Sequence, residues 1–292
     1  MFDSILFQVF INALIVGSVY ALVAVGFVLT YTTTKFLNFA HGATVALSAY
    51  VFLVSFDSAG WLGAFILAVL SAMFFNYLVY TFVYKKLMYR KASKVILLLI
   101  SFAILMGVEA IIQIVFTASP RRIALPIKEG LDFLGAKITP VQILIIVTTI
   151  VILIAVWLII RRTKAGLGLR SISDNKELAE IYGLNSEKII MNSFLIAGFL
   201  GAIAGAIISL EYVITPTIGT FYMIKGFVGA VTGGLTSLYG SIFGSYLVGI
   251  FENYGAWYFA SSYKDAIAFV LLFLMLLIRP QGLFGRKKSV RD

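Results

Sequence analysis

The sequence contains no cysteine, one histidine and few charged residues. Charged side chains make up 12% of the 292 residues, whereas hydrophobic ones make up 61%. The absence of cysteine excludes a disulfide scaffold, a thiolate metal site and a cysteine nucleophile. A single histidine, His41, excludes a metal site built from several histidines. So little charge beside so much apolar surface excludes an ordinary soluble domain and indicates a multi-pass membrane protein.

Motifs of several enzyme classes are missing as well. No G-x-x-x-x-G-K-[ST] loop is present, so we do not expect the chain itself to cradle ATP phosphates. There is also no H-E-x-x-H pair and no arrangement of serine with histidine or of paired aspartates that suits intramembrane proteolysis. We therefore expect no catalytic residue, no metal and no cofactor. The chain has a formal charge of +10, and its lysines and arginines lie mainly in short loops between apolar runs. This distribution is typical of charges that orient a membrane protein, so we expect no nucleic-acid partner.

Eight apolar segments are candidates for membrane helices, because a bilayer core requires about 20 apolar residues per helix. Six are expected to span the membrane, and they are 5–31, 61–84, 95–117, 138–160, 189–212 and 264–279. The other two are interrupted: 36–56 has Asn38 and His41-Gly42 near its start, and 221–252 has Gly233-Gly234 near its middle. No Lys or Arg precedes Lys35, so the first segment lacks the basic region of a signal peptide and is expected to remain in the mature protein.

Lysine and arginine are concentrated in three short segments. Residues 85–94 hold five, residues 161–188 hold six and residues 279–292 hold five of the 23 in the chain. The positive-inside rule assigns all three to the cytoplasm. The loop 118–137 is mixed in charge and should therefore lie outside.

With this orientation, residues 221–252 cannot make a net crossing of the membrane. As one helix they would be about 48 Å long, and split at the glycine pair each half would be about 24 Å long. We expect a re-entrant pair of half-helices beside a translocation path, because broken backbone at membrane depth needs protein or water around it. The same reasoning favours a re-entrant 36–56 with the N-terminus inside. An N-terminus outside with 36–56 fully spanning is the alternative. The residues expected to border the path are Asn38, His41, Gly42, Gly233, Gly234 and Ser237.

Few charged residues lie within the apolar segments, among them Glu109, Glu211, Glu252 and Lys225. Glu109 is the deepest of them. An intramembrane carboxylate is costly and is a candidate proton relay. A structural hydrogen bond to Ser101, to Gln113 or to a neighbouring helix is the other interpretation, and we favour it.

The polar segment 161–188 contains the pattern of a short capped helix. Ser173 or Asp174 is expected to cap a helix from Lys176 to Tyr182, and Gly183 is expected to end it. Leu178, Ile181 and Tyr182 fall on one face at helical spacing. A helix of about ten residues is marginal alone in water. Either a partner, or its own loop with the lipid headgroups, must hold it.

Glu177-Leu178-Ala179 followed by Gly183 resembles the E-A-A-x-x-x-G core of the cytoplasmic loop in permease subunits of bacterial ABC importers. The sequence departs from that core at Leu178, and the I-x-L-P portion that follows in the family is absent. Other stretches resemble the permeases of branched-chain amino-acid importers, and they are LNFAHG at 37–42, residues 225–252, YKD at 263–265 and RPQGLFG at 279–285.

The resemblance implies one all-α transmembrane permease domain over residues 1–285, with a cytoplasmic coupling loop at 161–188, and a basic cytoplasmic tail at 286–292. It implies the bacterial cytoplasmic (inner) membrane as location. The implied partners, besides membrane lipid, are a second homologous permease subunit, two cytoplasmic ATPase subunits that hydrolyse ATP, and an extracytoplasmic solute-binding protein. The coupling residues would be Asp174, Glu177, Leu178, Ala179, Ile181 and Gly183.

Branched-chain or similar apolar amino acids are the cargo that the resemblance implies. Urea or short-chain amides are an alternative cargo within the same family. A stand-alone channel, or a proton-coupled carrier that uses Glu109, is an alternative of another class.

Overall fold

The computed structural model describes residues 2–123, 130–133 and 135–285. The α-helices of these ranges are α1 (Phe2–Thr34), α2 (Ala40–Leu78), α3 (Lys85–Tyr89), α4 (Lys94–Phe116), α5 (Pro140–Arg162), α6 (Lys164–Asp174), α7 (Lys176–Ile181), α8 (Ser186–Glu211), α9 (Ile218–Gly233), α10 (Leu238–Tyr258) and α11 (Lys264–Ile278). A π-helical segment, Val79–Tyr84, joins α2 to α3, and a 3-10 turn, Ser261–Tyr263, precedes α11. Strands β1 (Leu131–Phe133) and β2 (Ala136–Ile138) form an antiparallel hairpin. The tail at 286–292 lies outside the described residues.

The expected all-α multi-pass architecture is confirmed. In the described part of the chain, six helical runs are long and apolar enough to cross a membrane, or up to seven if the bent pair of α9 and α10 counts as one span. The expected number of eight segments is not confirmed, because 36–56 and 61–84 fall within a single helical run, Ala40–Tyr89, which is interrupted at Gly60.

That run folds back on itself at Gly60, whose backbone is non-helical with φ 68° and ψ 178°. The Asn76 side chain donates a hydrogen bond to Thr44 Oγ1 at 2.8 Å, and the Tyr84 hydroxyl donates one to Asn38 Oδ1 at 2.8 Å. In a straight helix residues 44 and 76 would be about 48 Å apart. The two halves of α2 are therefore antiparallel, with the reversal at Gly60.

Contacts at the two ends of α1 give its direction. The Gln8 side chain exchanges hydrogen bonds with the backbone of Lys137, at 3.1 and 2.8 Å, and Lys35 Nζ donates to the Ser173 carbonyl at 2.7 Å. Because the charge distribution places Lys137 outside and Ser173 inside, α1 runs from the outer face to the cytoplasm. Residues 36–56 must then cross back completely. The expectation of a re-entrant 36–56 with the N-terminus inside is wrong, because the chain reverses at Gly60 and not at His41-Gly42.

The second interrupted segment forms a helical hairpin. Helices α9 and α10 are bent by 118° at a break that follows Gly233. At the turn, Phe284 N donates to the Gly233 carbonyl at 2.9 Å, so the turn lies beside the chain that follows α11. At the far end of α10, the Tyr254 hydroxyl donates to the Leu6 carbonyl at 3.2 Å, near the outer end of α1. The hairpin thus enters and leaves on the outer side and makes no net crossing, as expected.

Helices α1 and α8 form the centre of the bundle. In their most apolar windows 89% and 78% of the residues are buried, against 6% for α11. Glycines on α8 allow close packing on α2: a methyl group on Gly205 would meet the Val45 carbonyl at 2.6 Å. Helices α4, α5 and α11 lie at the periphery and carry exposed apolar side chains. The inner end of α1 contacts the 161–188 loop, because Lys35 Nζ donates to the Ser173 carbonyl.

Candidate functional site

The short helix of the 161–188 loop is α7, and its first cap is Asn175. Asn175 Oδ1 accepts a hydrogen bond from Leu178 N at 3.1 Å. The prediction of Ser173 or Asp174 as the cap is wrong, because both residues belong to the preceding helix, α6. Asn175 is the residue whose backbone is extended, with φ −150° and ψ 109°, and it therefore occupies the cap position.

The other end of α7 is closed by Gly183, as expected. Gly183 has φ +82°, a conformation that favours glycine. Its N–H donates to the Glu180 carbonyl at 2.9 Å, and the N–H of Leu184 donates to the Ala179 carbonyl at 3.0 Å. These two bonds are those of a Schellman motif, which satisfies the last carbonyls of the helix.

The apolar face of α7 points away from the bundle. Leu178 is 51% exposed, Ile181 78% and Tyr182 84%, whereas Ala179 is buried against the loop. We call these three exposed residues the α7 ridge. Glu177, in the first turn of α7, is also exposed. The ridge is not covered by its own loop, so a partner or the lipid headgroups would have to bury it.

The loop is attached to the transmembrane bundle through α6. Leu169 and Ile172 of α6 are buried. The Lys35 ammonium group at the inner end of α1 donates a hydrogen bond to the carbonyl of Ser173. Lys35 itself has φ 59°, so the chain turns sharply there. Helix α7 is therefore linked through α6 to the inner end of α1, the most buried helix.

The residues expected to border a path fall into two groups. Asn38, His41 and Gly42 are buried where the inner half of α2 meets α1, α8 and α9, and Gly42 lies against the Gly219 carbonyl. Gly233, Gly234 and Ser237 lie at or beside the turn of the α9–α10 hairpin. Gly219 and Gly233 are 14 residues apart in α9, which corresponds to about 21 Å. The structure therefore does not bring the two groups into one pocket.

A cavity of about 400 Å³ lies between the loop and the hairpin turn. Its lining includes Asp174 from the loop and Ser237 from the turn, two residues that were predicted for different roles. Arg161, Arg170 and Trp157 also line it. We call it the inner cavity.

Three charged residues that are far apart in sequence meet inside the bundle. Lys225 Nζ lies 2.7 Å from Glu252 Oε1 and 2.7 Å from Asp265 Oδ1, and the Tyr20 hydroxyl donates to Glu252 Oε2 at 2.8 Å. This cluster joins both arms of the hairpin to α1 and α11. Sequence reasoning singled out Lys225 and Glu252 as rare intramembrane charges but did not pair them. Their opposite charges were the sequence feature that could have indicated this ion pair.

Glu109 of α4 is hydrogen-bonded to a neighbouring helix, which was the favoured interpretation. Its carboxylate accepts from Thr220 N at 2.8 Å and from Thr220 Oγ1 at 3.0 Å. Thr220 lies in the first turn of α9, where the helix dipole favours a negative charge. Glu109 therefore anchors the start of the hairpin. Within the described ranges, no group of three or more His, Cys, Asp or Glu side chains is placed to hold a metal ion.

Comparison with known proteins gives a consistent result over nearly the whole chain. The sequence pattern of a family described as branched-chain amino acid transport system / permease component matches residues 9–276. The high-affinity branched-chain amino acid transport system permease protein BraD of Pseudomonas aeruginosa is 32% identical, with 96% of this chain and 95% of BraD aligned. The corresponding protein LivH of Escherichia coli K12 is 31% identical over 96% of this chain and 95% of its own.

An archaeal relative and a solved structure extend this similarity. The probable branched-chain amino acid transport permease protein LivH of Methanocaldococcus jannaschii is 30% identical, covering 94% of this chain and 91% of its own. Among solved structures, PsaBC from Streptococcus pneumoniae in complex with Fab aligns with a TM-score of 0.51 at 16% identity, over 96% of this chain and 93% of that one. At that identity the likeness concerns the fold alone.

Proposed function

The chain belongs to the family of branched-chain amino acid transport system permease components, and from that premise we propose that it forms the transmembrane path of an ATP-driven importer for branched-chain or similar apolar amino acids. The named relatives are permease proteins of such systems. The sequence contains no phosphate-binding loop, so ATP hydrolysis would take place in separate ATPase subunits. The proposed location is the bacterial cytoplasmic (inner) membrane.

The α7 ridge is the observation that carries the proposal. It is apolar and exposed on the face of the bundle that the charge distribution places in the cytoplasm. Hydrogen bonds at both ends of α7 hold it in shape without a partner. We assign ATPase contacts to Glu177, Leu178 and Ile181. Ala179 and Gly183 would maintain the shape of the helix, and Asp174 would set the angle between α6 and α7.

The path itself is proposed to run beside the α9–α10 hairpin. Asn38, His41 and Gly42 would border it at mid-depth, and Gly233, Gly234 and Ser237 would border its inner end. A second, homologous permease subunit would complete the wall. An extracytoplasmic binding protein would deliver cargo on the side of Asp57 and Arg121, which line a cavity of about 360 Å³.

Affinity purification of the tagged full-length chain, followed by mass spectrometry, tests the partners. We expect ATPase subunits to co-purify with the wild-type protein. Leu178→Asp with Ile181→Asp should weaken this association by about tenfold or more, because charged side chains would replace two apolar side chains that the proposed ATPase contact buries. Tyr89→Asp is the matched control, since Tyr89 is 89% exposed on another cytoplasmic segment. Equal recovery of ATPase with the ridge variant and the control would refute the assignment.

A further inference from the structure

The inner cavity has the charge balance of a site for an anion. Two guanidinium groups, those of Arg161 and Arg170, line it against one carboxylate, that of Asp174. The ammonium group of Lys35 lies next to it, on the carbonyl of the lining residue Ser173. The lining is therefore net positive by one charge, and Lys35 adds a second at its edge.

Trp157 also lines the cavity. Its indole Nε1 is buried and makes no hydrogen bond within the described part of the chain. A buried donor without an acceptor costs about 1–3 kcal/mol. The Arg161 guanidinium lies over the Trp157 ring, 5.5 Å from its centroid, so the two donors are adjacent. An acceptor oxygen beside Arg161 would reach Trp157 Nε1 only after the side chains around that nitrogen move, because it is closed to water-sized groups.

The rim of the cavity is apolar and exposed. Leu158, one residue after Trp157, is 43% exposed, and Tyr239 and Phe284 of the lining are 55% and 51% exposed. The cavity also lies at the level of the cytoplasmic loop, where lipid headgroups are found. Basic pockets between helices at the cytoplasmic side are suited to lipid headgroups.

We propose that the inner cavity binds the phosphodiester headgroup of an anionic phospholipid from the cytoplasmic leaflet. A phosphodiester is negatively charged, which complements the net positive lining, and its acyl chains suit the apolar rim, whereas a free phosphate has no apolar part. Asp174 would accept hydrogen bonds from the headgroup hydroxyls, and the apolar rim would accommodate the start of the acyl chains. The lipid would bridge the coupling loop and the hairpin turn. This inference concerns lipid binding and does not depend on the cargo.

Trp157 makes the proposal measurable by fluorescence. The chain has three tryptophans, so Trp61→Phe with Trp257→Phe leaves Trp157 as the reporter in the full-length protein. The protein is reconstituted in vesicles that carry bromine, a quencher, on the chains of either phosphatidylglycerol or phosphatidylcholine. We expect stronger quenching by the brominated phosphatidylglycerol at equal bromine content. Arg161→Ala with Arg170→Ala should reduce the preference by about fivefold for each arginine.

Two further variants separate headgroup binding from misfolding. Arg162→Ala removes a neighbouring arginine that does not line the cavity, and it should leave the preference intact. Asp174→Asn should increase the preference, a change that a folding defect does not produce. Equal quenching by both lipids in the wild type, or a preference that survives the loss of both lining arginines, would overturn the proposal. Relief of the quenching by inorganic phosphate would assign the site to a soluble anion and overturn the lipid source.

Discussion

Breaking the buried cluster of Lys225 is expected to destabilise the bundle more than any surface change. Lys225 is 2% exposed and Glu252 1%, so neither charge is solvated by water. The Glu252 carboxylate accepts hydrogen bonds from both Lys225 and Tyr20. Glu252→Leu would leave the ammonium with Asp265, whose side chain is 61% exposed, and would leave the Tyr20 hydroxyl without its acceptor.

The magnitude follows from these contacts. Removing one member of a buried ion pair costs about 3–5 kcal/mol, and we expect the lower end, about 3 kcal/mol, because Asp265 remains. Adding Lys225→Met removes the stranded charge and should recover part of that loss, since apolar replacements of a buried pair are often neutral. The double variant should then lose about 1–2 kcal/mol, which is the cost of the unpaired Tyr20 hydroxyl. Tyr20→Phe added to the double variant should bring stability within about 1 kcal/mol of the wild type.

The free energy of unfolding is measured by titrating the purified protein from mild detergent into dodecyl sulfate and following circular dichroism. Glu187→Ala is the control, because it removes an exposed ion pair with Lys85, at 3.0 Å, and should cost less than about 1 kcal/mol. A double variant as unstable as Glu252→Leu alone would refute the reasoning. So would a Glu252→Leu protein with the stability of the control.

Three further changes have defined outcomes. Gly60→Ala should lower the free energy of unfolding by about 1–3 kcal/mol, because φ 68° with ψ 178° is a conformation almost restricted to glycine. A steric clash is not the cause, since a methyl group there would meet no atom within 4 Å. Glu109→Gln, which retains an acceptor for Thr220, should support ATP-dependent uptake that a protonophore does not reduce, and loss of uptake in that variant would revive a proton-coupled role. Gly183→Val together with Glu177→Lys should uncouple ATP hydrolysis from uptake in reconstituted vesicles while the protein stays folded, and wild-type uptake in this double variant would contradict the role of α7.

Features that depend on local chemistry were predictable from sequence. Gly183 ends α7 because it adopts a positive φ, and the α9–α10 hairpin breaks at Gly233-Gly234. The cytoplasmic location of the 161–188 loop stays a prediction from its lysines and arginines. Each of these signals lies within a few residues of the feature that it produces.

The direction of α1 was not predictable in that way. Lys35 is the only Lys or Arg in the first 84 residues, so the positive-inside rule assigns the orientation of α1 only weakly. The direction depends on contacts between Gln8 and Lys137 and between Lys35 and Ser173, which are 129 and 138 residues apart. The cap of α7 was misplaced for a related reason.

Helix α6 contains Gly166 and Gly168, which lower helix propensity. It forms because its buried side chains pack on the bundle, and a sequence pattern does not reveal that packing. With α6 ending at Asp174, the cap moves to Asn175. The Lys225 cluster is likewise tertiary, since Lys225 and Glu252 are 27 residues apart on the two arms of the hairpin.

ATP-driven uptake of radiolabelled leucine into vesicles tests the central claim most directly. The vesicles contain this chain with the subunits that co-purify with it. We predict uptake that requires ATP, that Leu178→Asp with Ile181→Asp abolishes, and that Tyr89→Asp preserves. Uptake at the wild-type rate in the ridge variant, or leucine flux through the wild type without ATP, would contradict the account.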